Sequence, residues 1–322
     1  MKEYLAYQGL FQNMPKKDLE WLLIKLRDYQ IKRRSTLNVD KRFSFGVEIE
    51  FCDILLLYVE KRFKESENLK KWLNVYDKSC SYKADNYIIG GEVDTDILHD
   101  TKKDWDTLKE ALTILKELKA HITDKNGLHV HVGSQIFGTD IKNVIRFIKV
   151  WCIFEHVIFR FSYGKSKYER SSILSFAHPI AQETALKYQF MPYMLDYLEE
   201  PMFLHLNKNC ALNFLNYSHL TEKEERNNTI EIRCANGTLS LTTIQNTVNF
   251  YLKLMQYVTS PTYDEERINS IFKKLKPKDF TSYHVPYIKD ALLLCDLIFD
   301  NNLDKINFLK QYIKKDDPIF VR

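Results

Sequence analysis

The chain has 322 residues, of which 45% are apolar and 28% charged, and its formal net charge is +4. These values are normal for a soluble globular protein with a substantial core, and no apolar run approaches the length of a membrane span. Acidic and basic residues are interleaved, so the composition does not demand nucleic acid but tolerates an anionic substrate such as a nucleotide.

The cysteines and the first residues of the chain indicate its compartment. Six cysteines are scattered without a CxxC pair, which favours buried free thiols in a reducing compartment over disulfides. The stretch MKEYLAYQGLFQNMPKKD lacks the apolar core of a signal peptide. We therefore expect a cytoplasmic protein with neither nucleic acid nor a membrane as partner, and the sequence leaves its oligomeric state open.

In chain order, the pattern divides into a helical extension over residues 1–41, a central part over 42–260 and a helical segment over 261–322. The extension contains one amphipathic helix, whose apolar stripe comprises Leu19, Leu22, Leu23 and Leu26. The central part alternates short strands with longer amphipathic helices. We therefore expect a catalytic domain with a helical segment on each side.

Three helices are predicted within the central part. The first is DWDTLKEALTILKELKAH, whose buried stripe comprises Trp105, Leu108, Leu112, Leu115 and Leu118. The second is TDIKNVIRFIKVWCIFEHVIFRF. The third is LTTIQNTVNFYLKLMQYV, for which Thr242 or Thr243 is the predicted N-cap.

Three strands between these helices share one design. Each alternates strictly between apolar residues on one face and polar residues on the other. The polar residues are, in chain order, Glu48 and Glu50 of GVEIEF, His129 and His131 of GLHVHVG, and Glu231 and Arg233 of TIEIRC. A fourth short stretch, GGEVDTDIL, adds Glu92.

Each of these residues also has a simpler interpretation. Glutamates on a strand face are more often solvated than bound to metal, and an HxH pattern is most often two partly exposed histidines. Glu231 and Arg233 are typical of an ion pair that contributes little stability, and Glu92 could simply end a strand. Together, however, such side chains on apolar strands are costly unless they surround cations, so we predict a divalent metal site.

The residue types indicate which ion the site would bind. Zinc prefers His and Cys, whereas several glutamates with one or two histidines suit Mg²⁺ or Mn²⁺. Carboxylate-held Mg²⁺ keeps positions open for phosphate oxygens, and Arg233 would suit a planar phosphate contact. The chain has neither a GxxxxGK[ST] loop nor a GxGxxG turn, so if the protein uses ATP, the phosphates would be held by metal ions and side chains of a sheet.

The motifs GVEIEF, GGEVDT, GLHVHVG, ALNF and TIEIRCANGTL occur in that order over about residues 43–260. In this order and spacing the chain resembles the amidoligase family of the glutamine synthetase-like carboxylate–amine ligase superfamily. The resemblance implies an α+β fold, in which a curved antiparallel sheet forms an open half-barrel with helices on its convex face. It also implies that ATP and two or three divalent metal ions, Mg²⁺ or Mn²⁺, bind in the concave face.

The resemblance also implies roles for individual residues. The implied metal ligands are Glu48, Glu50, Glu92, His129 and Glu231. His131 matches a residue near the transferred phosphate, and Arg233 matches the arginine that steadies phosphate or substrate. Asn213, in ALNF, lies where the family has an asparagine near the nucleotide or substrate, although an asparagine in a turn is its simpler interpretation.

The sequence departs from the family pattern at two places. After Glu92 many relatives carry Ser-Pro, whereas this chain reads VDTD, and KNC replaces the basic-aromatic pair before ALN. Lys208 is a possible substitute for the missing basic residue. Asp85, Arg160, Lys165 and Arg170 lie where substrate contacts are expected, and of these only Arg170 is as consistent with substrate binding as with a polar surface position.

These observations favour an ATP-dependent ligase that joins a small-molecule or peptide carboxylate to an amine through an acyl phosphate. One alternative is a metal-dependent hydrolase of the amidohydrolase type, which also carries an HxH strand but needs further strand-end His and Asp ligands. A guanidino kinase of the same superfamily fold is another. The third is a catalytically silent nucleotide-binding relative, against which the full set of ligands argues.

Overall fold

The computed structural model describes residues 1–138, 140–190, 206, 208–217 and 228–317, with only the backbone of 186–190. Its strands are β1 (Phe45–Leu55), β2 (Leu73–Val75), β3 (Tyr82–Ala84), β4 (Tyr87–Asp94), β5 (Gly127–Gly133), β6 (Leu212–Asn213) and β7 (Thr229–Asn236). Within these ranges they form one seven-stranded sheet in the order β2-β4-β1-β5-β7-β6, and β3 also pairs with β4. Every pairing is antiparallel.

The helices flank this sheet and form both ends of the described chain. They are α1 (Lys2–Leu5), α2 (Lys16–Asp28), α3 (Leu56–Lys64), α4 (Lys102–Glu117), α5 (Ile141–Ser162), α6 (Ile173–Phe176), α7 (Ala181–Phe190), α8 (Leu241–Val258), α9 (Glu265–Lys273), α10 (Ile288–Ile298) and α11 (Asn302–Tyr312). Short 3₁₀ turns occur at Phe11–Asn13, Ser134–Phe137 and Phe280–Ser282. Among the described helices, none combines the length and the apolar character needed to traverse a bilayer. Helices and an antiparallel sheet together confirm the predicted α+β class.

One face of the sheet is apolar and packs against helices. Val47 and Ile49 of β1 are buried there because alternate side chains of a strand point to the same side. Phe45 stacks on Trp105 of α4 with ring centroids 5.0 Å apart. Burial of these side chains is the main stabilising contribution of this layer, and it leaves the opposite face of the strands free for polar side chains.

The helices follow the predicted patterns closely. Four of the five stripe residues predicted for α4 are buried, while Leu118 is half-buried because it is the C-cap, where the helix ends. The predicted N-cap of α8 is wrong. The Ser240 hydroxyl accepts a hydrogen bond from Thr243 N at 3.4 Å, so Ser240 is the N-cap and the helix begins at Leu241, before either predicted threonine cap.

The two helical flanks of the chain pack on each other. The backbone amides of Phe11 and Gln12 both donate to the carboxylate of Asp296 in α10, at 3.0 and 2.8 Å. Arg34 Nη1 lies 2.8 Å from Oδ1 of the fully buried Asp304 in α11. The described parts of the two predicted flanks, residues 1–41 and 261–317, therefore pack together, and they are called the helical layer below.

Candidate functional site

The strand register places the predicted site residues side by side on the polar face of the sheet. Paired residues of antiparallel strands share a face, so cross-strand partners form rows across it. The first row comprises Glu92, Glu50 and Gly127, the second Asp94, Glu48 and His129, and the third His131, Glu231 and Asn213. The sheet thus brings together all five predicted metal ligands.

Glu48 is at the centre of this site. His129 Nδ1 donates to Glu48 Oε2 at 2.7 Å, and His131 Nε2 donates to Glu48 Oε1 at 2.5 Å. Burial favours the neutral acid, but these two hydrogen bonds outweigh it and hold the pKa of Glu48 well below its usual range. Burial disfavours the protonated form of His131 and so lowers its pKa, but the hydrogen bond to Glu48 and the neighbouring carboxylate charges together outweigh burial, and the pKa of His131 is raised.

The β4 side of the site contains carboxylates that repel one another. Burial raises the pKa of Glu92, and the charges of Glu48 and Asp94 raise it further. Burial likewise raises the pKa of Asp94, with the charge of Glu48 as the next cause. Asp94 was missed in the sequence, although the alternation of Glu92, Val93 and Asp94 continues the pattern used for the other strands.

A further carboxylate comes from outside the strands. Asp77, in the segment between β2 and β3, approaches Glu50 and Glu92 so that one ligand atom of each lies within 4.8 Å of the others. The same holds for Glu48, Glu92 and His129, and for Glu48, His131 and Glu231. The sequence offered no signal for Asp77, because its position depends on the path of a connecting segment.

The donor set fits divalent metal ions. His129 is 2% exposed, and its Nε2 atom has no hydrogen-bond partner although Glu50 Oε1 lies 3.5 Å away. In the neutral tautomer whose Nδ1–H donates to Glu48, Nε2 has a lone pair available for a metal, an arrangement common among metal-binding histidines. The carboxylates that surround it are the ligands that Mg²⁺ and Mn²⁺ prefer.

Arg233 and Asn213 both contact Glu231. Arg233 Nη1 forms an ion pair with Glu231 Oε1, and Arg233 Nε donates to the carbonyl of Phe176 at 3.0 Å. Asn213 Nδ2 donates to Glu231 Oε2 at 2.7 Å, so the two residues orient both oxygens of this buried carboxylate. The ion pair considered in the sequence is present, but it lies within the site.

The structure separates the three candidate substrate contacts. Arg170 is buried at the site, with its guanidinium over Gly127. Lys208 is exposed near the start of β6. Asp85 is exposed in the turn between β3 and β4, with a positive φ of 52°, seven residues before Glu92 along the chain.

The prediction that Arg160 is a polar surface residue is wrong. Its side chain is fully buried in α5 and pairs with Asp317, while Nη1 donates to the carbonyl of His284. Lys165, by contrast, is exposed, as predicted. The error arose because the partner of Arg160 lies 157 residues away in sequence, beyond the reach of any local pattern.

Comparison with known protein families identifies the family of the chain. A family model described as "Putative amidoligase enzyme" matches residues 41–255, which is more than half of the chain. The chain therefore belongs to this amidoligase family, and the resemblance noted in its motifs is confirmed. Among curated proteins, no match to the chain was found.

Proposed function

We propose that the protein is an ATP-dependent carboxylate–amine ligase that releases ADP and phosphate. The single observation that supports this most is the polar sheet face, where carboxylates, two histidines and Arg233 meet in a chain of the amidoligase family. Such a face suits a nucleotide whose phosphates are neutralised by divalent ions. The ions and side chains of this face would hold the phosphates, a role that a glycine-rich loop has in other nucleotide-binding proteins and that no such loop of this sequence can have.

Glu48, Glu50, Glu92, His129 and Glu231 would hold Mg²⁺ or Mn²⁺, and Asp77 and Asp94 would add oxygen ligands. When bound, the ions would neutralise charge that develops on the β- and γ-phosphates during transfer. We propose that the sheet curves into the open half-barrel of glutamine synthetase-like enzymes, with this face concave. The catalytic domain would then span residues 42–260, flanked by the helical segments 1–41 and 261–322.

The reaction would proceed in two steps, since a carboxylate alone has no acceptable leaving group. An oxygen of the acid substrate attacks the γ-phosphorus of ATP, the bond to the bridging oxygen breaks, and ADP leaves. The amine nitrogen then attacks the carbonyl carbon of the acyl phosphate, and the carbon–oxygen bond breaks as phosphate departs with the electron pair. An alkylammonium substrate loses two protons overall, one to the released phosphate and one to solvent.

The basic side chains would act on the moving phosphoryl group. Arg233, held by Glu231 and by the carbonyl of Phe176, would present a fixed cation to the equatorial oxygens. His131, whose pKa is raised by Glu48, would add a second positive charge near the same oxygens. Asn213 would hold Glu231 in place and approach the nucleotide.

The substrates would be a small-molecule or peptide carboxylate and an amine, in the cytoplasm, with no nucleic acid or membrane partner. Lys208 and Asp85 remain candidate contacts to these substrates, in segments outside the rows. Their exposure would suit recognition of a larger, peptide-like substrate that extends beyond the site.

Calorimetric titration of ATP into the full chain, with and without Mg²⁺ or Mn²⁺, tests the proposal. We expect nucleotide binding only with the metal, and its loss in Glu48→Ala. Glu67→Ala is the matched control because Glu67 is an exposed glutamate, with its side chain 87% exposed. Acid–amine pairs are then screened for ADP release that depends on both substrates.

Three outcomes would contradict the ligase. Tight retention of zinc without nucleotide binding would favour a hydrolase, which also uses an HxH strand. ADP release that requires a guanidino compound and forms no amide would favour a kinase. Metal-dependent ATP binding without turnover on any acid–amine pair would point to a silent nucleotide-binding protein.

A further inference from the structure

The first row of site residues, Glu92, Glu50 and Gly127, contains one position without a side chain. Gly127 starts β5, and its backbone N–H donates to Glu50 Oε2 at 2.6 Å. A Cβ atom at this position would overlap Nη1 of Arg170, and would lie 2.7 Å from its Cζ and 2.9 Å from Nε2 of His129. The guanidinium of Arg170 therefore occupies the space beside Glu50 and His129 that a side chain at position 127 would fill.

Arg170 is held in this space by the backbone and by the end of β7. Its N–H donates to Asn236 Oδ1 at 3.0 Å, and its Nη2 donates to the carbonyl of Arg233 at 2.9 Å. The next residue is also fixed, because Ser171 N donates to the carbonyl of Asp124 at 2.8 Å. These contacts fix the guanidinium, so little conformational entropy remains to be lost when a ligand binds it.

Within the described residues, the charge of Arg170 has no ion-pair partner. The residue is only 2% exposed, and its Nε atom has no hydrogen-bond partner. In the described ranges, no carboxylate oxygen lies within 4.0 Å of its guanidinium nitrogens. Burial lowers the pKa of Arg170, and although Glu50 opposes this effect, the like charge of Arg233 adds to it.

A buried guanidinium is costly unless an anion pairs with it. The only oxygen in hydrogen-bond contact with its side chain, among the described residues, is the carbonyl of Arg233, so most of its N–H donors remain free. Guanidinium groups bind carboxylate and phosphoryl oxygens with two parallel hydrogen bonds. The unmet charge of Arg170 thus indicates an anionic ligand.

We propose that Arg170, seated over Gly127, is a receptor for an oxyanion of a reactant, and that glycine is required at position 127 to admit it. This inference rests on the proposed ligase function. The oxyanion is either the carboxylate of the acid substrate or the terminal phosphoryl group of ATP, since both present a pair of anionic oxygens to the same donors. Arg170 would be a binding residue at a position distinct from that of Arg233.

Four full-chain variants test the inference. Arg170→Met removes the charge at similar length, Arg170→Lys keeps the charge but loses the paired donors, and Gly127→Ala displaces the guanidinium without removing it. Arg62→Met is the control, because Arg62 is an exposed arginine paired with Glu117 on the surface of α3 and α4. Calorimetry with Mg²⁺ measures binding of a non-hydrolysable ATP analogue, ADP, inorganic phosphate and acetate.

If the oxyanion is the phosphoryl group, Arg170→Met and Gly127→Ala weaken binding of the ATP analogue about ten-fold or more and leave binding of ADP unchanged. If it is the carboxylate, both nucleotides bind as in the wild type while acetate binding is lost in the same variants. Arg170→Lys gives an intermediate loss in either case. Arg62→Met matches the wild type throughout.

The inference is overturned if Arg170→Met and Gly127→Ala bind all four probes as the wild type does. Failure of the ligase proposal would look different, because the wild type itself would then bind no nucleotide with metal. Phosphate and acetate would still test anion binding by Arg170 in that case, because neither titration requires ATP. The inference expects the wild type to bind one of these anions and the variants to lose that binding. Thermal unfolding of each variant identifies any that fail to fold, and Arg170→Lys, which keeps the buried charge, then carries the comparison.

Discussion

Buried charges occur in two regions of this protein, and the regions treat them differently. Around helix α5, Glu155 accepts four hydrogen bonds at 2.8–3.0 Å, from Trp151, the amides of Ile180 and Ala181, and Tyr283. Arg160, on the same helix, pairs with Asp317 through both carboxylate oxygens. Each of these charges therefore has either a counter-charge or several hydrogen-bond donors, and of the Arg160 guanidinium nitrogens only Nε lacks a partner in the described chain.

On the polar face of the sheet, the buried charged groups repel one another or lack partners. Glu92 and Asp94 repel each other, His129 Nε2 has no hydrogen-bond partner, and in the described chain no carboxylate oxygen lies within ion-pair distance of the Arg170 guanidinium. A protein that satisfies its charges in one layer can do so in another. The mismatch is therefore best explained by ligands that supply the missing partners, cations on the β4 side and an oxyanion at Arg170.

The largest effect should come from breaking a satisfied pair. We expect Arg160→Met to lower the free energy of unfolding by about 3–5 kcal/mol, because Asp317 would stay buried without its partner. Urea denaturation measures the change. The double variant Arg160→Met with Asp317→Asn should recover part of the loss, and a decrease below about 1 kcal/mol would show that the pair is not effectively buried.

Neutralising a charge on the polar face should change the free energy of unfolding in the opposite direction. We expect Glu92→Gln to raise the free energy of unfolding of the metal-free protein by about 1 kcal/mol, because it removes a carboxylate repelled by Glu48 and Asp94. The same variant should bind Mn²⁺ at least about ten-fold more weakly, since a ligand is lost. Denaturation and metal titration test the two parts, and a variant that is less stable than the wild type would remove the contrast between the regions.

The pH dependence of the metal-free protein should reflect the same conflict. Folding raises the pKa of Glu92, Asp94 and His131, so the native state holds more protons than the unfolded chain, and stability falls as pH rises from about 5 to about 8. The lowered pKa of Glu48 contributes stability that is lost only in stronger acid, below this window. Thermal unfolding should show the fall, and saturating Mg²⁺ or Mn²⁺ should reduce it. A melting temperature that rises over this range without metal would contradict the assignment.

The smallest effect is expected at the surface. Arg62 pairs with Glu117 at 2.9 Å, with both side chains about half exposed, and such pairs contribute little. Arg62→Met should therefore change the free energy of unfolding by less than about 0.5 kcal/mol, as measured by urea denaturation. A larger decrease in stability would mean that this surface pair stabilises the fold as a buried ion pair does.

Much of the site could be predicted from the sequence because it is built on strands. Strict alternation assigns Glu48, Glu50, His129, His131 and Glu231 to one face, and pairing of the strands then brings them together. Asp94 could have been found by the same rule.

The remaining residues depend on tertiary contacts that leave no local pattern. Asp77 approaches the site through a connecting segment, and Arg170 reaches it only because Gly127, 43 positions earlier in sequence, has no side chain. Arg160 lies on a helix whose residues are almost all buried, so the usual rule that arginine faces solvent failed there.

The contact between the two flanks has a consequence for synthesis of the chain. Phe11 and Asp296 are 285 residues apart in sequence, so the amides of the first turn stay without their acceptor until α10 has left the ribosome. At about 5–20 residues per second, the nascent chain spends many seconds with α2 lacking its final packing partners. The sheet can pair earlier, but the helical layer closes last, so a ribosome-stalled or truncated chain would expose the apolar stripe of α2 to chaperones.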